Sequence, residues 1–205
     1  MIGLYTKNID GVWFGATCNS KEVFATSFAF SREKVLRSLL NTIPYYTPFQ
    51  QFKKLSPLAE QALHVLKDVY DGKGSDETLP LSTKHLSSYA RKVIAVVSAV
   101  PLGYVTSYGS AANVAGGSPR AVGRVMAFNP FPLIVPCHRV VSRDFTLGGY
   151  GGGLDIKLAI LKREKQGYSV EAYASVCCGK LRLFPVEFVL DKLEKLGRGV
   201  NIKSV

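Results

Sequence analysis

Cys137 and His138 are consecutive in the tetrapeptide Pro136-Cys137-His138-Arg139, the residue types of a nucleophile beside its base. A thiol attacks only as the thiolate, and a neighbouring imidazole or a positive field lowers its pKa. Side chains of consecutive residues on a regular strand point to opposite faces, so direct pairing of Cys137 with His138 needs a turn. Pro136 supplies a break after the apolar run Leu133-Ile134-Val135. A buried structural cysteine beside an unrelated histidine has the same local sequence, so the surroundings must decide. The other cysteines, Cys18, Cys177 and Cys178, fit no disulfide framework. The Cys177-Cys178 pair reads as buried and inert, and a link from it to Cys18 stays open. No Cys-x-x-Cys or His-x-x-x-His pair occurs, and the spacing of Cys18, His64 and His85 is not diagnostic, so no metal site is expected.

The elements that must position this tetrapeptide are legible on both sides of it. Ile2–Thr6, Val12–Thr17 and Val23–Phe28 are apolar, aromatic and β-branched, and turn signals at Asp10-Gly11 and Asn19-Ser20 separate them. This predicts an antiparallel meander. Ser31 then caps a helix to about Leu40, a loop with Pro44 and Pro48 follows, and Leu58–Tyr70 has helical spacing. The Gly-, Ser- and acid-rich stretch from Asp71 to Pro80 is the expected domain boundary.

Beyond it, Ser87 or Ser88 opens a helix that Pro101 and Gly103 end, and Tyr104–Thr106 is a short extended element. Two short helices are expected, one from Ser107 to Ala115 and one from Ser118 to Phe128, with Gly116-Gly117 as the turn between them. This is a helix-turn-helix pattern, although helix pairs of this kind also occur without nucleic acid. Near the end, Pro185 opens a helix with Val186, Val189, Leu190, Leu193 and Leu196 on one face.

Charge points the same way as the helix pair. The 205 residues carry 26 Lys and Arg against 15 Asp and Glu, a formal net charge of +11. From Thr78 to Arg143 there is no acidic residue, while Lys84, Arg91, Lys92, Arg120, Arg124, Arg139 and Arg143 all lie in that stretch. A surface of one sign suits a nucleic acid, and it is also what an ordinary solvated basic face looks like. At 47% apolar the chain has the material for a core, and no run reaches the 18 residues of a membrane span. The first residues lack a signal-peptide pattern, and a cytoplasmic protein is expected.

From Ser88 to Glu164 the sequence resembles the O6-alkylguanine-DNA alkyltransferases, the methylated-DNA–protein-cysteine methyltransferase family. Pro101-Leu102-Gly103-Tyr104-Val105-Thr106-Ser107-Tyr108-Gly109 resembles the family's approach to its helix-turn-helix, and Arg120-Ala121-Val122-Gly123 its recognition helix. Asn129-Pro130 and Pro136-Cys137-His138-Arg139-Val140 resemble its hinge and active site. Tyr150-Gly151-Gly152-Gly153-Leu154, then Lys157 and Glu164, resemble its closing segment. Lys165 stands where many members have glycine, and the chain runs about forty residues past Glu164.

The resemblance implies an α/β (α+β) fold in three parts. Residues 1–80 would form a ribonuclease H-like domain with a three-stranded antiparallel sheet and helices. Residues 84–168 would form a mainly helical DNA-binding and catalytic domain with a winged helix-turn-helix, and 169–205 an extension packed on the body. The implied activity is direct, stoichiometric and irreversible transfer of the alkyl group from O6-alkylguanine, and O4-alkylthymine, in duplex DNA to Cys137, without metal or organic cofactor. By the same resemblance His138 takes the thiol proton through a water, Glu164 orients His138, Tyr108 protonates the departing base, and Asn129 is the hinge. A plain helix C-cap at Asn129 and an exposed helix glutamate at Glu164 remain alternatives.

Arg120 would fill the place of the flipped base, with Ser118, Ala121, Gly123 and Tyr108 also on the DNA. Met126, Val140, Tyr150 and Gly151 would line the base pocket. The implied partner is double-stranded DNA, bound in the minor groove by a monomer, with no membrane association. A non-catalytic lesion-binding relative would have the cysteine replaced. A thiol hydrolase or redox sensor would leave Tyr108, Arg120, Asn129 and the glycine run unexplained.

Overall fold

Apolar, aromatic and β-branched residues build the first three strands, β1 (Ile2–Ile9), β2 (Val12–Cys18) and β3 (Val23–Ala29), which pair antiparallel in the computed structural model. The structure describes residues 1–43, 47–75 and 77–197; Pro44 of the expected loop, Asp76 of the expected boundary and residues 198–205 of the expected extension lie outside the described residues. Two chain-contact units are present: Met1–Arg91 with Phe128–Cys137, and Lys92–Ala127 with His138–Val205.

In the first unit, α1 (Arg32–Leu40) starts at Ser31, whose side chain accepts the Lys34 N–H. Its Val35 and Leu39 are buried with Leu4 and Ala25 of the sheet. The loop after it holds a strand that the sequence reading lacks: β4 (Phe49–Gln51) adds parallel to β1, giving the order β3-β2-β1-β4. All three β4 residues are exposed and two are glutamine, so neither burial nor propensity marks the strand. Helix α2 (Pro57–Tyr70) has Ser56 as its cap and Pro57 in its first turn, and Tyr70 packs edge-on against Phe14 and Phe28. The segment Phe128–Cys137 also belongs here. Thr26 of β3 donates its N–H to Pro130 O at 2.9 Å and its hydroxyl to Pro132 O at 3.1 Å.

The chain passes along α3 (Ser88–Ser98) into the second unit. There β5 (Tyr104–Ser107) leads directly into α4 (Tyr108–Ala115), capped by Ser107. Gly116 and Gly117, at φ 83° and 89°, make the turn into α5 (Pro119–Ala127). Both are left-handed positions that favour glycine. A single 3-10 turn, Cys137–Arg139, is followed by β6 (Val140–Val141), which pairs parallel to β5. Helix α6 (Leu154–Arg163) comes next.

The region after Glu164 is more than a helix. β7 (Ala172–Val176) and β8 (Gly179–Pro185) form an antiparallel hairpin whose second strand pairs with β5, giving the order β6-β5-β8-β7. The alternation Lys180-Leu181-Arg182-Leu183 carries the strand signal, with both leucines buried. Helix α7 (Val186–Lys195) then buries Val186, Val189 and Leu193 against Val105, Val141, Leu158 and Leu161. Cys177 and Cys178 are the two-residue tip of this hairpin and are exposed, which corrects the expectation that they are buried. A hairpin tip has no layer above it. All four cysteines are free thiols, and Cys18 is buried in the first unit.

The chain is thus mixed α and β, with two four-stranded sheets and seven α-helices among the described residues. None of those helices is long and apolar enough to cross a membrane.

Candidate active site

Glu164 caps the C-terminus of α6 and is fully buried, so it is not a surface helix glutamate. Its carboxylate lies between two cationic or protonatable groups from the 3-10 turn. Oε1 is 3.0 Å from His138 Nε2. Arg139 donates Nε to both carboxylate oxygens, at 3.1 and 3.0 Å, and Nη2 to Oε1 at 2.7 Å. Its Nη1 reaches Val100 O at 2.7 Å. Burial by itself would raise the Glu164 carboxyl, but the charge and hydrogen bonds of His138, and those of Arg139, outweigh it and bring it down to about 2. Burial pushes the His138 imidazole below its ordinary value against the pull of Glu164, and the Arg139 and Lys157 charges add to that push.

An ionised carboxylate can only accept, so the neutral imidazole carries its proton on Nε2. Nδ1 then holds a lone pair. It is buried and has no hydrogen-bond partner among the described residues. His138 is therefore oriented by a buried anion on one nitrogen and keeps a basic nitrogen on the other. Cys137, the preceding residue, opens the same 3-10 turn, is 8% exposed, and donates its N–H to Val135 O at 2.7 Å. The turn is the break in extended geometry that adjacent nucleophile and base require.

Asn129 closes the loop that delivers Cys137. Its Nδ2 donates to Val135 O and its Oδ1 accepts from Phe131 N, both at 3.0 Å. These are loop bonds rather than bonds to the carbonyls of α5, so the side chain does not serve as a simple helix cap. Leu133, at φ 72°, shows how tightly this loop is bent.

On α5, Ser118 accepts the Ala121 N–H at 3.2 Å, and both Ser118 and Arg120 are exposed. Ala121 and Gly123 are half-buried, whereas Val122 and Met126 are buried. A Cβ on Gly123 would lie 3.7 Å from Tyr108 Cε1, ordinary contact. The Tyr108 hydroxyl donates to Gly149 O at 3.3 Å. Gly148 sits under the same ring at φ 68°, where a Cβ would come within 2.9 Å of Tyr108 Cε2, so no side chain fits. Tyr150 is half-buried, and Gly151 is exposed with nothing within 4 Å of where a Cβ would be.

The sequence places Arg139 in the basic stretch and gives Lys157 no role, yet the structure buries both in the site. Arg139 is the fork that holds Glu164. Lys157 is fully buried, donates to Val140 O at 2.6 Å and to Leu147 O, and lies 5.9 Å from the centre of the Tyr150 ring. It thereby ties β6, the glycine-rich loop and α6 together. The signal was available: Lys157, Ile160, Leu161 and Glu164 follow i, i+3, i+4, i+7 spacing, so both charges fall on the apolar stripe of α6. Lys157→Met is expected to leave two buried carbonyls unpaired and to cost about 2–4 kcal/mol of unfolding free energy, read from urea denaturation.

The model of the "6-O-methylguanine DNA methyltransferase, DNA binding domain" family matches residues 88–166. The methylated-DNA–protein-cysteine methyltransferase of Thermococcus gammatolerans is 33% identical over 156 residues, 75% of this chain and 88% of that protein. The one from Methanothermobacter thermautotrophicus is 45% identical over 85 residues, 42% of this chain. There the match spans 47% of the relative, so the chain spans about half the length of several curated relatives that it matches. The crystal structure of O6-methylguanine-DNA methyltransferase from Pyrococcus kodakaraensis has a TM-score of 0.61 at 29% identity, covering 80% of this chain and 99% of that one.

Proposed function

The chain belongs to the methylated-DNA–protein-cysteine methyltransferase family, and on that premise we propose that it repairs O6-alkylguanine in duplex DNA by moving the alkyl group irreversibly onto Cys137. The observation that carries this reading is the buried His138–Glu164 pair, with Nδ1 of His138 unpartnered among the described residues and Cys137 next in the chain. In the proposed step His138 Nδ1 receives the Cys137 proton through a water. The thiolate sulfur attacks the alkyl carbon, an S–C bond forms, and the C–O bond to guanine breaks with its electron pair on oxygen. Tyr108 supplies a proton to the departing base, which leaves neutral. A thioether does not hydrolyse, so each molecule acts once. O4-alkylthymine presents the same electrophile and is proposed as a second substrate.

Glu164 keeps its charge throughout, because Arg139 neutralises it from the other side. It stabilises the imidazolium as it forms, the role of the third member in nucleophile–base–orienter triads. Asn129 holds the loop that carries Cys137. Met126, Val140, Tyr150 and Gly151 are proposed as the walls and edges of the base pocket. The Val140 carbonyl already accepts Lys157, and a carbonyl has a second lone pair for a base edge.

The proposed partner is double-stranded DNA. Helix α5 has no acidic residue, Arg120 and Arg124 are exposed on it, and Ser118 is exposed just before its start. Ala121 and Gly123 are small enough for a helix laid in the narrow minor groove. A base inside a duplex must leave the stack to reach a buried thiol, and Arg120 is proposed to take its place. The protein would act as a monomer in the cytoplasm, its residues arranged in the parts 1–80, 84–168 and 169–205.

The direct test is to mix the protein with duplex DNA containing O6-methylguanine and measure its intact mass. Gain of one methyl, mapped to Cys137, is the expected result; unchanged mass with retained binding would instead indicate a lesion-binding relative. Arg120→Ala is expected to slow transfer from duplex DNA by at least about tenfold, the equivalent of 1.4 kcal/mol. Reaction with free O6-benzylguanine, which needs no flipping, should stay within about twofold of the wild type. Equal losses on the two substrates would place Arg120 in the chemistry or the fold.

A further inference from the structure

The tip of the β7–β8 hairpin has no part in the transfer chemistry, yet it holds two of the chain's four thiols. Cys177 and Cys178 are both exposed, and their sulfurs are 3.1 Å apart. Val176 and Gly179 pair across the hairpin, so the two cysteines are the whole loop and the strand register holds them together. Gly179, at φ 143°, lets the chain re-enter β8 directly after them. Sheet pairing from β7 through β8 to β5 anchors the tip to the body of its unit.

We propose that Cys177 and Cys178 form a two-thiol clamp that captures a trivalent arsenical as a cyclic dithiolate. The sulfur separation selects among thiophilic ligands. With metal–sulfur bonds of about 2.3 Å, the zinc–thiolate length, sulfurs 3.1 Å apart subtend about 85° at the bound atom. A tetrahedral zinc ion wants a wider angle and two or more further ligands. Among the described residues no group of three or more His, Cys, Asp or Glu side chains could hold a metal ion. A trivalent arsenic bonds through orbitals near right angles, carries its own organic substituent and needs only two thiols.

The step balances without any redox partner. An arsenic–oxygen double bond opens, two As–S bonds form, and both thiol protons leave on the oxygen as water. The hydrogen bond with Cys177 holds the Cys178 thiol above its ordinary range. The second bond forms intramolecularly at high effective concentration, and a single thiol has no equivalent gain. Cys18 and Cys137 are buried and each is far in sequence from any other cysteine.

The test uses the reduced full chain with phenylarsine oxide, followed by an excess of a monothiol and intact-mass measurement. One phenylarsenic group per chain is expected to survive the monothiol and to be removed by a dithiol. It should be lost completely in Cys177→Ser and in Cys178→Ser, and proteolytic mapping of the wild-type adduct should place it on the peptide containing both cysteines. Absence of a stable adduct, its persistence in both variants, or its mapping to Cys18 or Cys137 would overturn the assignment. Zinc alone, followed by buffer exchange, is expected to leave no bound metal; stoichiometric retained zinc would overturn the geometric argument. None of these readouts depends on alkyl transfer, so the clamp and the proposed repair activity can fail separately.

Discussion

Replacing Cys137 by alanine or serine is expected to reduce methyl transfer to background while leaving DNA binding within about threefold of the wild type. The serine variant is the more informative. Its hydroxyl keeps a donor and an acceptor at the position of the thiol, but an alcohol is far harder to ionise, and His138 is held below its ordinary pKa by burial. The alkyl carbon is a soft electrophile, towards which a hydroxyl is a far poorer nucleophile than a thiolate. DNA affinity should persist because the proposed contacts lie on α5 and at its start, where Ser118, Arg120 and Arg124 are exposed. The measurements are intact mass after incubation with O6-methylguanine duplex and fluorescence anisotropy on the same duplex. A methyl gained by either variant would move the acceptor to another residue.

Glu164→Ala is expected to be the most destabilising single change in the site, at about 3–5 kcal/mol, because it strands the guanidinium of Arg139 in a buried environment. Glu164→Gln keeps an acceptor oxygen for Arg139 and should cost less. In that variant the imidazole loses the anion that stabilises its protonated form. Transfer should then slow at neutral pH and recover partly at higher pH, where the thiol ionises unaided. Urea denaturation and a pH–rate series separate the two effects; a Gln variant with unchanged rate and unchanged pH profile would refute the relay.

The wild type should show the same linkage in its acid stability. A carboxyl held at about 2, against an ordinary 4.5, binds its proton less readily folded than unfolded. Its contribution is complete above about pH 4.5 and is lost as pH falls toward 2, on the order of 3 kcal/mol in all. His138, also lowered, acts in the same direction from about pH 6.5 downward. Glu164→Gln should flatten the lower of these two windows.

Much of this was legible in the chain because the signals are local. The starts of α1, α4 and α5 were legible at Ser31, Ser107 and Ser118, whose side chains cap the N–H groups a helix leaves open, whereas α2 was legible only from its spacing and its Ser56 cap came from the structure. Strands β1 to β3 followed from their apolar, aromatic and β-branched content and the turn signals at Asp10-Gly11 and Asn19-Ser20. The tetrapeptide and the motifs around it named the candidate site, since rare residues at fixed spacing carry information that survives without coordinates. The β7–β8 hairpin was missed: the alternation of Lys180 to Leu183 carries a strand signal, but the Cys-Cys tip lacks a turn signature such as Asn-Gly.

Only tertiary structure decided what each buried charge would hold. Pattern alone could not say that Arg139 grips Glu164 and Val100 O, or that Lys157 turns inward to join Val140 and Leu147, because those partners lie between 10 and 39 residues away. Nor could it say that residues 128–137 fold with the first unit, through Thr26. A sequence pattern reports which face a residue occupies. What a charge on that face pairs with depends on which distant backbone groups are desolvated beside it, and that is settled only when the chain has closed around them.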